Sequence, residues 1–362
     1  MKGKEAGMAR ILLHLDIDED FHAGSKAMKD CETVLMEKKY ELLKIRRQEN
    51  SKGIMSKIQN ELQFLKFFSL KKEDTLVVQH PLYIGTRYMK WLKTAKTCKG
   101  YKVIFIIHDL ESLRKLFQDF EILFQQLDYL MYETSDVLIV HNHKMSEYLI
   151  EKKKIDRKKI VCLEVFDYLT DEKPESEKET VDIVIAGNLD KNKSGYIYEM
   201  AKVCPNLKIN LYGIHYNSEK ASENLQHQGA YPPDILPGKM KGKFGLVWDG
   251  KETETCAGST GEYIRYNNPH KVSLYIAAEK PILIWKEAAL AAFVEENNIG
   301  IAIKNLAELE SILGTISEEE YANMKKNIKK MAEKVRNGGF MTKAIETAEQ
   351  IQRQGQKCEK LK

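Results

Sequence analysis

Short apolar runs recur along the chain, each followed by a longer stretch in which apolar residues return every three or four positions. The runs at 9–15, 75–79, 102–107, 137–141 and 159–163 predict strands, and the stretches at 29–48 and 110–133 predict amphipathic helices between them. Alternation of this kind is the pattern of a parallel sheet covered by helices. Residues 169–180 (LTDEKPESEKET) are polar, charged and aperiodic, so they predict a linker. A second series of strands follows at 181–186, 208–212, 243–247 and 281–285, and residues 318–354 read as strongly helical. The expected organisation is therefore an N-terminal α/β domain over 1–168, the linker 169–180, a C-terminal α/β domain over 181–335, and a closing helix and tail over 336–362. That helix is long enough to pack back on the first domain.

A length of 362 residues agrees with two domains, because a single core stops growing before that size. Hydrophobic residues at 43% and charged residues at 30% are ordinary for a globular protein, and the longest apolar runs fall far short of a bilayer span. The first strand-like run is followed by acids and lacks the apolar core of a secretory signal, so the cytoplasm is the expected location. Six scattered cysteines show no metal-ligand spacing and read as reduced thiols. The net charge of +4 arises from 57 basic and 53 acidic residues, a balance that does not suggest a nucleic-acid partner. The lysine-rich stretch 151–159 could provide peripheral contact with an anionic membrane, although a solvated helix end is its plainer reading.

Three turns after strands of the second half carry small or polar residues: Ala186-Gly187-Asn188, Tyr212-Gly213 and Trp248-Asp249-Gly250. Ligands of open parallel sheets bind beyond the carboxyl ends of strands, where glycine lets the backbone approach closely. Residues 258–281 (GSTGEYIRYNNPHKVSLYIAAEKP) then place Asn268 and Pro269 before a helix that carries His270, Lys271 and Ser273 near its start. Helix starts attract phosphate, and a lysine there adds a point charge, so a diphosphate is assigned to this turn. A capped helix with a solvated Lys271 is the alternative. Asp16-Ile17-Asp18 matches a DxD string, but a three-residue match is weak, and no metal is expected. His141 and His143 lack a third ligand and read as hydrogen-bonding groups.

Taken in order, HAGSKAMKD at 22–30, QHP at 79–81, HDLESLR at 108–114, VHNHKM at 140–145, FDY at 166–168, AGNL at 186–189, FGLVWDG at 244–250, GEYIRYNNPHKVSLYIAA at 261–278 and ILIWKEAALAAF at 282–293 resemble a bacterial glycosyltransferase family. Its members are named galactofuranosyltransferases and glucosyltransferase 3. The resemblance implies a GT-B fold, with two Rossmann-like domains facing a central cleft. It also implies a UDP-sugar donor, no metal or other cofactor, and a homo-oligomer. On the donor side it points to Asn188, Tyr212, Gly213, Asp249, Tyr263, Asn268, His270, Lys271 and Ser273. In the first domain it points to Gly24, Ser25, His80 and Arg114 on the acceptor side, with His108 and Asp109.

Retaining GT-B enzymes often carry two glutamates eight positions apart before the final strand; Tyr266 and Leu274 stand there in this chain. An inverting displacement is therefore expected, in which one base deprotonates the acceptor hydroxyl. Asp109, following the strand at 102–107, is the first candidate for that base and His108 the second. An Asp109 that caps the following helix is equally consistent with the pattern. The expected activity is transfer of a hexose, galactofuranose or glucose, to a lipid-linked, polysaccharide or glycoprotein glycan. The competing expectations are a nucleotide-sugar epimerase or hydrolase of the same shape, and a non-catalytic partner of another transferase.

Overall fold

The computed structural model describes residues 8–16, 23–46, 54–174, 180–220 and 222–360. The chain forms two compact units. The first comprises Met1–Val140, Ser146–Leu163 and Thr342–Lys362, and the second His141–Met145 and Glu164–Met341. The main changeover along the chain thus falls between Leu163 and Glu164, ahead of the polar stretch 169–180.

The first unit is built on six parallel strands: β1 (Arg10–Asp16), β2 (Glu41–Arg46), β3 (Thr75–His80), β4 (Lys102–Ile107), β5 (Val137–Val140) and β6 (Ile160–Cys162). Their order is β2-β1-β3-β4-β5-β6. Every residue of β3 and β5 is buried, as strands covered on both faces must be; β5 is accordingly a continuous apolar run, and β3 has an apolar centre, Leu76–Val78, with the polar Gln79 and His80 at its carboxyl end. The last helix, Gly339–Lys360, supplies Ala344, Ile345 and Ala348 to buried positions of this unit. Its Glu349 is buried and accepts hydrogen bonds from Arg10 at 2.7 Å, Tyr40 at 2.8 Å and Arg353 at 2.8 Å.

The second unit repeats the architecture with β7 (Ile183–Asn188), β8 (Ile209–Ile214), β9 (Leu225–His227), β10 (Phe244–Val247), β11 (Ile282–Trp285) and β12 (Gly300–Ile303), again all parallel. The order β12-β11-β10-β7-β8-β9 is the doubly wound one, and the chain reverses its direction of travel across the sheet between β7 and β10. At a switch point of this kind the connections leave in opposite directions, which in doubly wound sheets leaves a crevice beyond the strand ends. Among the helices of this unit, Glu318–Arg336 starts with a capping box: Ser317 accepts from the Glu320 N–H, and Glu320 reaches back to the Ser317 N–H.

Several expectations require correction. The helix expected over 29–48 is two elements, Ala23–Glu37 and the strand β2. Lys39 takes a left-handed φ of +65° that ends the helix, and residues 41–46 then pair with β1, so tertiary pairing overrides a helical period. The helix expected over 110–133 is a single turn, Glu111–Arg114, closed by Lys115 at φ +54°, and resumes only at Glu121–Thr134. The closing helix breaks at Gly338, φ +69°, into Glu318–Arg336 and Gly339–Lys360. The strands β2, β9 and β12, which form sheet edges, were not among the expected ones.

Candidate active site

In the second unit the carboxyl ends of β7 and β10 flank the switch point, and Lys271 lies over it. This lysine is the second residue of the helix His270–Ala277, which follows Pro269. Its Nζ donates to the Trp248 carbonyl at 3.0 Å and to Asp249 Oδ1 at 3.2 Å, both just past the end of β10. On the other side its stem passes Gly187 in β7, where a Cβ would stand 3.5 Å from Lys271 Cε. Burial works against the ammonium, but the Asp249 carboxylate and the hydrogen bond to it outweigh that penalty and hold Lys271 above the ordinary lysine pKa.

The backbone around this lysine is glycine-lined for steric reasons. Gly187 and Gly213 are direct partners across β7 and β8, with φ of +133° and +152°. A Cβ on Gly213 would overlap the Gly187 carbonyl. Gly250, at φ +110°, packs against the Ala257 carbonyl and closes the loop after β10. Cys256 Sγ accepts from the Asp249 N–H, and Trp248 Nε1 donates to the Glu252 carbonyl at 2.9 Å, so this loop is internally tied. Burial pushes the Cys256 thiol up to about 12. Below the crevice the Tyr275 ring fills the space left by Gly245, and its hydroxyl accepts the Ala186 N–H at 3.0 Å.

The other donor-side candidates are spent differently. Asn188 Oδ1 accepts from the Asp190 N–H at 2.9 Å, so it shapes its own turn. The Tyr212 hydroxyl donates to the Lys239 carbonyl at 3.1 Å and accepts from the Lys241 N–H at 2.9 Å. Tyr263 is buried at the end of the helix Gly258–Tyr263. Asn268 is a buried junction: its side chain donates to the carbonyls of His141 at 2.7 Å and Glu164 at 3.1 Å and accepts from Asn142 at 2.7 Å, while its N–H donates to His141 Nδ1 at 2.8 Å. Ser273 donates to the Phe166 carbonyl at 2.7 Å, and the His270 ring stacks on Tyr168 with centroids 5.1 Å apart. Lys271, Asp249 and Gly213 therefore gather at the crevice, whereas the side chains of Asn268, His270 and Ser273 contact the segments 141–142 and 164–168.

In the first unit the end of β4 carries His108 and Asp109. His108 Nε2 lies 2.7 Å from Gln79 Oε1, and its N–H donates to the His80 carbonyl at 2.8 Å. Asp109 does not cap the next helix; Leu110 holds that position with no side-chain cap. Asp109 instead accepts from Arg114 Nη1 at 2.9 Å, and the same nitrogen reaches Glu111 Oε1 at 3.0 Å. Tyr83 donates to that Glu111 oxygen at 2.8 Å. His80 is fully buried, with Nε2 2.7 Å from Asp128 Oδ1, and Asp128 Oδ2 accepts from the Ser112 N–H at 3.3 Å. Gly24 and Ser25 fall in the first turn of the helix Ala23–Glu37, where the surroundings of Ser25's side chain are not described; Ile17 and Asp18 of the DxD string lie outside the described residues. Among the described residues no group of His, Cys, Asp and Glu is arranged to hold a metal ion.

Sequence reasoning singled out Gly187 at the end of β7, but not Glu111, Tyr83, Gln79 and Asp128 in the first unit, or Cys256 and Tyr275 in the second. Glu111 and Gln79 stand inside the motifs HDLESLR and QHP. Tyr83, Asp128 and Tyr275 bear no local signal, because their partners are distant in sequence, and Cys256, though only seven residues from Asp249, stands in no recognisable motif.

Two doubly wound parallel sheets with a glycine-lined strand-end crevice define the architecture of the GT-B glycosyltransferases. The chain belongs to the glucosyltransferase 3-like family and is a glycosyltransferase: the N-terminal domain of that family matches residues 12–165 and its C-terminal domain residues 183–348. A beta-1,6-galactofuranosyltransferase of Escherichia coli (strain K12), WbbI, is 30% identical over 335 residues, covering 90% of this chain and 93% of the relative. Glucosyltransferase 3 of Streptococcus gordonii is 23% identical over 274 residues, covering 75% of this chain and 78% of its own. Among solved structures, an alpha-glucosyltransferase in complex with UDP-glucose and DNA containing an abasic site aligns with a TM-score of 0.59 at 13% identity, covering 95% of this chain and 99% of its own. Arabidopsis thaliana UGT89C1 complexed with UDP-L-rhamnose aligns at 0.50 with 11% identity, covering 95% and 92%. Both likenesses concern the fold. No helix among the described residues is long and apolar enough to cross a membrane.

Proposed function

We propose that the chain transfers a hexose, galactofuranose or glucose, from a UDP-sugar to a hydroxyl of a glycan acceptor in the synthesis of a cell-surface polysaccharide or glycoprotein glycan. The observation that carries this reading is the Lys271 ammonium, held over the β7–β10 switch point between the glycine backbone of Gly187 and the end of β10. A cation in a strand-end crevice, on the first turn of a helix, suits the diphosphate of a nucleotide sugar. Negative charge develops on that diphosphate as the bond to the sugar breaks, and Lys271 stabilises it.

Asp109 is the base in this reading, with His108 as its neighbour. The acceptor hydroxyl loses its proton to the Asp109 carboxylate, its oxygen bonds to the anomeric carbon, and the bond from that carbon to the phosphate oxygen breaks to release UDP. Arg114 orients the carboxylate. Asn188, Tyr212, Tyr263, Asn268, His270 and Ser273 shape the donor side by holding the turns around Lys271, and His80 supports the acceptor side through Asp128. The reading needs no metal, places the enzyme in the cytoplasm where nucleotide sugars are made, and carries forward the expectation of a homo-oligomer.

The test is UDP release from UDP-glucose and UDP-galactofuranose with and without a panel of methyl and octyl glycosides. Release only with an acceptor, together with a new glycoside product, supports transfer. Release without an acceptor, or interconversion of the donor sugar, points to a hydrolase or epimerase. Lys271→Met is expected to weaken UDP binding by about a hundredfold, the loss of a charge-assisted contact to a partly buried diphosphate. Unchanged UDP affinity in that variant rejects the placement of the diphosphate.

A further inference from the structure

We infer that Asp249 is an internal counter-ion that competes with the donor's diphosphate for Lys271, so that donor binding hands the ammonium from carboxylate to phosphate and product release hands it back. The inference rests on the placement of the diphosphate at Lys271. Within the protein the ammonium is already engaged: Nζ donates to the Trp248 carbonyl at 3.0 Å and to Asp249 Oδ1 at 3.2 Å. An ammonium has three donors, so these contacts leave one direction open. On the β7 side Gly187 offers no side chain, and the nearest point a Cβ could reach is 3.5 Å from Lys271 Cε. An anion entering there meets the cation and, beside it, a like charge.

The two side chains retain about a fifth of their exposure, 20% for Lys271 and 17% for Asp249, so their interaction is screened less than a surface pair's. A diphosphate and a carboxylate sharing one ammonium repel each other, and this repulsion is absent from the free enzyme. Asp249 therefore opposes the donor and assists the departure of UDP. Its backbone is held separately, since its N–H donates to Cys256 Sγ and Gly250 beside it packs against the Ala257 carbonyl. Neutralising the side chain removes the competing charge while the loop keeps its own ties.

The test is calorimetric titration of the full chain with UDP, inorganic pyrophosphate and uridine, using the wild type, Asp249→Asn, Lys271→Met and the double variant. Asp249→Asn is expected to bind UDP and pyrophosphate about tenfold tighter than the wild type, the size of a partly exposed charge interaction. Uridine, which carries no phosphate, is expected to bind all four proteins alike. In the Lys271→Met background the gain from Asp249→Asn is expected to shrink to what direct repulsion between carboxylate and diphosphate contributes, because the competition for the ammonium is gone. Asp249→Ser serves as a second neutral variant, and melting temperatures identify any variant that fails to fold. Equal or weaker UDP binding by both folded neutral variants overturns the competition, as does a gain that persists undiminished without Lys271. If Lys271→Met itself binds UDP like the wild type, the diphosphate lies elsewhere and both readings fall; if Lys271→Met loses UDP while Asp249→Asn and Asp249→Ser bind it no tighter than the wild type, the placement stands and the competition alone is rejected.

Discussion

Arg114 holds Asp109 through a 2.9 Å hydrogen bond from Nη1, and that same nitrogen lies 3.0 Å from the buried carboxylate of Glu111. One cation thus serves an accessible carboxylate and a buried one. Replacing Arg114 by Met leaves the Glu111 carboxylate with the Tyr83 hydroxyl as its remaining hydrogen-bond donor among the described residues. A loss of about 3 kcal/mol in urea denaturation is expected, the low end of the usual cost of stripping the partner from a buried charge, since Glu111 keeps the Tyr83 hydroxyl. Turnover is expected to fall by about tenfold to a hundredfold as the base loses its orientation. UDP affinity should be unchanged, and a parallel loss of UDP binding would contradict the role.

Asp109→Asn separates base from scaffold. The amide keeps the size of the carboxylate and cannot accept the acceptor's proton. Transfer is expected to drop by at least about a hundredfold with UDP affinity unchanged. Retained turnover would move the role to His108 or elsewhere.

The pairing of Gly213 with Gly187 makes a sharper stability test. Gly213→Ala combines a φ of +152° with a Cβ driven into the Gly187 carbonyl, and is expected to cost about 2 kcal/mol or more. Gly314, in the helix Leu309–Thr315, has nothing within 4 Å of a built Cβ, so Gly314→Ala is expected to be neutral or to stabilise by up to about 1 kcal/mol. Urea melts of the two variants side by side check both signs.

Thiol reactivity should follow burial. Cys256 is fully buried and its pKa is pushed up to about 12, so at pH 8 the thiolate, the reactive form, is scarcely populated in the native protein. Cys98 is exposed. Mass spectrometry after brief alkylation at pH 8 is expected to find Cys98 modified well before Cys256. Raising the pH toward 12 should narrow the difference, because deprotonation of Cys256 then becomes favourable. Early labelling of Cys256 would mean that the loop after β10 opens readily.

Periodicity and apolar runs carried much of the sheet pattern. Strands such as β4 are continuous apolar runs because both faces are covered, and that composition is visible in one dimension. β2 was hidden because its Leu42, Leu43 and Ile45 also suit a helical period; the left-handed Lys39 and the pairing with β1 decide otherwise. In the second unit Lys271 could be singled out from a proline before a helix start, a local signal. Its pairing with Asp249 could not, since it depends on β10 and the helix His270–Ala277 meeting in space. Asn268 shows the same divide more strongly: its partners His141 and Glu164 stand more than a hundred positions upstream.

The first unit draws its strands from the early part of the chain and its final helix from residues beyond Thr342, with the second unit's main segment inserted between them. Glu349, which Arg10 and Tyr40 both engage, is therefore synthesised after almost everything it stabilises. On the ribosome the second unit has its full complement of strands while the first still lacks its last helix. The first unit, whose strands are made first, therefore cannot complete its packing until the end of the chain is made. Until translation passes Glu349, the leading sheet waits with the arginine of β1 and the tyrosine before β2 deprived of their common acceptor.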